Sequence, residues 1–334
     1  MKHENIGYIF IVMASIIVVL AGIKSASEII VPFLLSLFLA IILSPTYNYF
    51  NKKGLPHTIS LILVISLFIF TLVLVGKLIG SSVAEFNTKI DFYTAQLLNY
   101  FHVVVNFSSG LGLDISEEEL TGLIHPKQIM TFSSSVLYSL SGMFSNGFVV
   151  LFTLMFMLTE SDHFVEKLKV FQSEETKFSD LVKISSKIKE YMVLKALISA
   201  LTGFIVWIGL LIIGTDYAFL WAVIAFLFNF IPNIGSIIAA VPVVLLTLIQ
   251  LGSISALFVA LMYTLVNIII GSVVEPKIMG KGLGLSSLVV FLSLIFWGWL
   301  LGIVGMLLSI PLTIMLKIYL DSNTSTKRYG ALLG

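Results

Sequence analysis

The chain has 334 residues, 58% of them hydrophobic and only 11% charged. Soluble domains carry about one quarter charged residues, so this composition belongs in a lipid bilayer. A formal net charge of +1 gives a nucleic acid no basic face to bind, and the lack of cysteine excludes disulfides, thiolate metal sites and thiol nucleophiles.

The five histidines (His3, His57, His102, His125 and His163) include no i,i+4 pair of the kind that holds zinc. No HExxH, GxSxG or P-loop pattern occurs. The sequence therefore predicts neither an enzyme nor a cofactor, and any transport must be passive or driven by a gradient.

A helix needs about 20 apolar residues to cross hydrocarbon. Ile6–Ile23 meets that length. A second apolar run follows almost at once, and no clean small-x-small cleavage site closes the first, so the first reads as a span and not as a secretion signal. Span two is Ile29–Phe50, with Pro32 in its first turn and Pro45 near its end. A basic turn, Asn51-Lys52-Lys53-Gly54, leads to span three, His57–Ile79, and residues 1–83 form an N-terminal group of spans.

Residues 84–141 change character. Val83, Phe86, Ile90, Leu97, Phe101 and Val104 recur at helical spacing with polar residues between them, which predicts an amphipathic helix continuing span three outward. Ser108-Ser109-Gly110 breaks it, and Ser116 with Glu119 forms a capping box that opens a second helix. This extramembrane helical insertion is either a gate or oligomer contact, or a solvated spacer.

Residues 142–159 hold span four, Phe144–Leu158. Residues 160–190 carry Lys167, Lys169, Lys177, Lys183, Lys187 and Lys189, with an apolar stripe of Phe178, Leu181, Ile184, Ile188 and Tyr191. That pattern predicts a helix on the cytoplasmic surface leading into span five, Met192–Ile213. Lys52-Lys53, this linker, and Lys327-Arg328 in the tail (residues 321–334) all fall inside if both termini are cytoplasmic in a bacterial inner membrane.

Residues 191–320 form the expected transport core, built on two apolar arms. One reads FNFIPNIGSIIAAVPVVLL, Phe228–Leu246, and the other FWGWLLGIVGMLLSIPLTIML, Phe296–Leu316. Laying Gly235 on Gly305 brings Pro242 within one residue of Pro311. Between the arms runs EPKIMGKGLGLS, Glu275–Ser286. A helix broken in lipid exposes main-chain groups, which is tolerated where they line a cavity or a binding site. The predicted fold is therefore an all-α polytopic membrane protein. Either six full spans carry two re-entrant hairpins from opposite faces, or each arm is a bent span and the total is eight. Cytoplasmic placement of Lys277 and Lys281 fits the hairpins.

Between Met192 and Leu316 the only carboxylates are Asp216 and Glu275, and the only bases Lys195, Lys277 and Lys281. Ionisable groups at membrane depth are functional candidates by default. Glu275 is either a coupling carboxylate or an interfacial residue paired with Lys277 or Lys281, and Asp216 reads as a turn residue. The candidate substrate site is Asn229, Pro232, Asn233, Gly235, Ser236, Asn267, Gly302 and Gly305. Its amides and hydroxyl offer donors and acceptors without a charge, and its glycines let a ligand or helix approach the backbone. Such a cavity suits a small, neutral, hydroxyl-rich solute, or a cation held by carbonyl oxygens. Trp297 and Trp299 fit an interfacial aromatic belt.

FIPNIGSIIAAVP, VEPKIMGKGLGLS and FWGWLLGIVGMLLSIPLT resemble the C-terminal segments of the autoinducer-2 exporter family, and the likeness extends over nearly the whole chain. The resemblance implies a multi-pass inner-membrane homo-oligomer that exports a small hydrophilic molecule such as autoinducer-2. It also implies an alternative, sodium (or lithium)/proton antiport. A third reading is a membrane scaffold without transport. Many members of that family carry an acidic residue shortly before the Glu-Pro position; here that neighbourhood holds Asn267 and Gly271. Any charge-coupled mechanism thus rests on Glu275 alone.

Overall fold

The computed structural model describes residues 3–110, 147–170, 175–231, 234–279, 285–322 and 326–334. Among them there is no strand. The capping box at Ser116 and Glu119 lies outside the described residues.

Three helices open the chain: α1 (His3–Ser25), α2 (Ser27–Lys52) and α3 (His57–Thr88). Both prolines of α2 lie inside the helix. Pro45 has no N–H to give the Ile41 carbonyl, and the Ser44 hydroxyl donates to that carbonyl instead, at 3.0 Å. Ser36 donates to Pro32 O at 2.7 Å and also lies 3.1 Å from Val150 O, which ties α2 to α5 (Gly147–Val170).

The amphipathic stretch does not simply continue α3. Lys89 closes that helix by donating its N–H to the Glu85 and Phe86 carbonyls, and its ammonium returns to Glu85 at 2.8 Å. Helix α4 (Ile90–Gly110) then starts at an angle. Across this junction the Phe86 and Tyr93 rings stack with centroids 5.5 Å apart. The predicted cytoplasmic helix and span five are likewise not separate. They form one helix, α6 (Glu175–Ile213), of 39 residues.

Among the described residues, five helical stretches are long and apolar enough to cross a membrane: Ser27–Lys52, His57–Thr88, Ile188–Ile213, Ser253–Ile278 and Ser287–Leu307. Shorter apolar stretches include Phe10–Ser25 and Gly147–Glu160, the regions of predicted spans one and four.

Both interrupted arms fold back on themselves. The first consists of α7 (Ala218–Phe228) and α8 (Gly235–Leu251). At its base the Asp216 N–H donates to Gln250 Oε1 at 2.8 Å, and the Thr215 and Thr247 hydroxyls lie 3.1 Å apart. A straight helix would separate Asp216 from Gln250 by about 51 Å, so the chain reverses between them. Helix α9 (Ser253–Val266) then runs through a π-helical segment, Asn267–Val274, into α10 (Glu275–Met279).

The second arm consists of α11 (Ser287–Leu307) and α12 (Ser309–Ser322). Trp297 Nε1 donates to Thr313 Oγ1 at 3.0 Å, where a straight helix would hold these residues about 24 Å apart. The base is tied by Ser286 N to Leu333 O at 3.2 Å and by Lys317 Nζ to the Gly330 carbonyl at 3.0 Å. Although Ser287–Leu307 has the length of a span, it turns at Gly302 and is not one straight crossing.

Most of the buried core surrounds the first hairpin. Trp221, Leu220, Ile224, Ala239 and Val243 pack there with Val206 and Leu210 of α6 and with Phe86 and Tyr93. Phe38 of α2 meets Phe230 edge-on at 5.4 Å, just where the chain reverses.

Candidate functional site

The two turns share one device. Gly235 opens α8 so near the end of α7 that a β-carbon there would overlap the Phe228 carbonyl oxygen. Gly305 sits in the same way against the Trp297 carbonyl oxygen. Only a residue without a side chain lets the returning helix touch the main chain of the outgoing one. Gly302 acts differently, since no neighbour crowds it. Its φ of 68° and ψ of −151° fall in a region open essentially to glycine alone, and that conformation reverses the chain.

A small cavity of about 10 Å³ lies between α6, the first hairpin and α9. Thr202, Asn229, Ser236, Tyr263, Asn267 and Gly271 supply its polar and open wall, with Val206, Ala225 and Val266 completing it. Three expected site residues, Asn229, Ser236 and Asn267, thus meet in one place, with Gly235 adjoining. Gly302 and Gly305 belong to the second hairpin and do not line it. Pro232 and Asn233 lie outside the described residues. The volume holds about one water molecule, whereas small-molecule pockets run to about 300 Å³ or more. The structure is closed around this site.

The wall carries several polar side chains in a mostly apolar surface, and no charged one. Asn229 Nδ2 donates to Ser199 Oγ at 3.0 Å, tying the turn of the first hairpin to α6. The Tyr263 hydroxyl is buried with no hydrogen-bond partner among the described residues. Asn267 begins the π-helical segment, and a β-carbon on Gly271 would come 3.2 Å from its Oδ1. A widened turn of this kind loosens the regular i,i+4 ladder and is frequent at functional sites.

One turn along α6 from Ser199 stands Lys195, its side chain 4% exposed. Its ammonium donates to Glu275 Oε1 at 2.6 Å. Glu275 is 21% exposed and sits at the junction of the π-helical segment and α10. Its partner is thus a base on a distant helix and not Lys277 one residue beyond Pro276; Lys281 lies outside the described residues. Thr202, Tyr263 and Ser199 were not singled out from sequence, and Lys195 was named only as one of three bases at membrane depth, without a role. The one available signal was Lys195 and Ser199 at i,i+4 in an otherwise apolar run.

Asp216 does stand in a turn, and it also anchors the far end of the first hairpin. Its carboxylate accepts from Tyr93 OH at 3.3 Å and lies 3.9 Å from Lys89 Nζ. Burial, then the Tyr217 hydroxyl and the Asp216 charge, push the Tyr93 hydroxyl well above its ordinary pKa, so it stays a donor. Tyr217 holds a left-handed φ of 57°, the only positive φ outside glycine among the described residues. Trp299, near the turn of the second hairpin, has Lys24 at 4.3 Å over its ring. No group of three or more His, Cys, Asp or Glu able to hold a metal occurs among the described residues.

The family described as "AI-2E family transporter" matches residues 9–324. The chain belongs to that family. It is 37% identical to the AI-2 transport protein TqsA of Escherichia coli strain K12, over 97% of this chain and 95% of that protein. A putative transport protein of Haemophilus influenzae is 40% identical over 96% of this chain and 94% of its own length. YhhT, a putative transport protein of E. coli K12, is 34% identical over 98% and 94%.

Proposed function

We propose that this AI-2E family member exports a small, hydrophilic, uncharged molecule such as autoinducer-2 across the bacterial inner membrane, with both termini cytoplasmic. The observation that supports this most directly is the cavity behind the turn of the first hairpin. Its polar groups are amides and hydroxyls, which match a hydroxyl-rich solute without the desolvation penalty of a fixed charge. TqsA, similar along the whole chain, is named for autoinducer-2 transport.

At about 10 Å³ the cavity admits no such solute. Loading therefore requires the first hairpin's turn to leave α6, which breaks the Asn229–Ser199 hydrogen bond. In that opened state Asn229, Ser236, Asn267 and the Tyr263 hydroxyl are free to bond the solute. In this reading the second hairpin closes the other side of the path as the first opens.

The test is efflux of autoinducer-2 from preloaded proteoliposomes. Asn229→Ala is expected to slow efflux about tenfold, as loss of one or two solute hydrogen bonds would. Gly305→Leu is expected to abolish it by prising the second hairpin apart. Wild-type efflux in both variants removes the site, and no efflux from the unaltered protein removes this substrate.

A further inference from the structure

We propose that Lys195 and Glu275 form a proton-operated latch on the cavity, in which protonation of Glu275 lets α6 part from the first hairpin. For its role in export this rests on the transport reading above; the latch itself is testable without a solute.

Along one face of α6 come Lys195, then Ser199 one turn on, then Thr202 on the cavity wall. Each of the first two ties α6 to a different neighbour. Lys195 holds Glu275 at the end of the π-helical segment, and Ser199 holds Asn229 at the hairpin turn. A movement of α6 that opens the cavity has to break both. The second tie is one neutral hydrogen bond, and the first is a charge pair whose Lys195 side chain is 4% exposed.

Only the charge pair can be switched by a proton. Uptake of one proton converts the Glu275 carboxylate to a neutral carboxyl group, with no other bond made or broken. Lys195 then keeps its ammonium in a buried site with no counter-charge, which is strongly unfavourable at membrane depth. From α6, Lys195 and Tyr191 face Glu275; on its own helix stands Lys277, and residues 267–274 contribute no titratable group. The nearest other carboxylate on α6 is Glu190, which is exposed and, five residues before Lys195, stands about 140° round the helix from it. The ammonium is relieved by reaching water, so α6 shifts and the cavity opens. Loss of the proton re-forms the pair and closes it.

The natural chain has no cysteine, so a single one reports on one place. Ser236→Cys puts a thiol on the cavity wall, and Lys53→Cys in the exposed turn between α2 and α3 gives a reference for the reagent's own pH dependence. The probe is a water-soluble maleimide applied to the purified full-length protein. The expected result is a labelling ratio, cavity over reference, that rises about tenfold or more from roughly pH 8 to pH 4. With Glu275→Gln, similar in shape but unable to ionise, the ratio is expected to be high and flat. A flat ratio in the protein with native Glu275 overturns the latch, and so does a pH response or a low ratio retained by E275Q. The native-Glu275 series stands by itself if E275Q fails to fold. In liposomes loaded with autoinducer-2, efflux is expected to follow the same pH response. Absence of efflux at every pH counts against the substrate, while the labelling ratio still decides the latch.

Discussion

Alanine substitutions at four glycines separate the two ways a glycine serves these hairpins. A β-carbon at Gly235 or Gly305 would overlap a backbone carbonyl oxygen, Phe228 O or Trp297 O, and main chain cannot rotate aside as a side chain can. Overpacking of this kind costs about 1–3 kcal/mol, and these two sites belong at the upper end because the struck atom is fixed in a helix. Gly302→Ala meets no atom at all, but its φ of 68° and ψ of −151° are closed to alanine, at a cost of about 1–3 kcal/mol from backbone strain alone. Gly76, within α3, has neither problem, so Gly76→Ala should be neutral or raise stability by up to about 1 kcal/mol. Melting followed by tryptophan fluorescence in detergent reads all four. The expected order is Gly76→Ala at or above the parent, with the other three clearly below it. A Gly235→Ala or Gly305→Ala protein as stable as Gly76→Ala would refute the close-approach account of the turns.

Other outcomes follow from single contacts. Lys195→Met should destabilise by about 3–5 kcal/mol by stranding the Glu275 charge, while Lys195→Met with Glu275→Leu should recover most of the loss in the same melt. Gln250 accepts from Asp216 N and donates to Gly214 O, so Gln250→Ala should cost about 1–3 kcal/mol. The exposed Lys89–Asp216 contact at 3.9 Å is worth at most about 1 kcal/mol, and Lys89→Ala should barely move the melting temperature. Trp297→Phe removes the donor to Thr313 while keeping an aromatic ring, and should cost about 1 kcal/mol.

The broken arms were legible in the sequence because glycine and proline inside long apolar runs have few meanings in lipid. Aligning Gly235 with Gly305 found two positions where returning helices touch outgoing main chain. Asn229, Ser236 and Asn267 stood out as polar residues in apolar surroundings, and they meet in one cavity. The Lys195–Glu275 pair was not legible, because 80 residues separate its members and Lys277 stands nearer in sequence. The break at Lys89 was hidden by an apolar spacing that runs on through it. Nothing in the composition of Asn267–Val274 distinguishes a π-helix from an α-helix; packing of Gly271 beside Asn267 is visible only in three dimensions.

Helix α6 has one more consequence. At 39 residues it is about 58 Å long, roughly twice the thickness of bilayer hydrocarbon, so a large part of it projects into water as a stiff rod. Torque applied to that projecting handle would turn the buried face bearing Lys195 and Ser199. Anything in the aqueous phase that grips it gains leverage on that buried face from a distance.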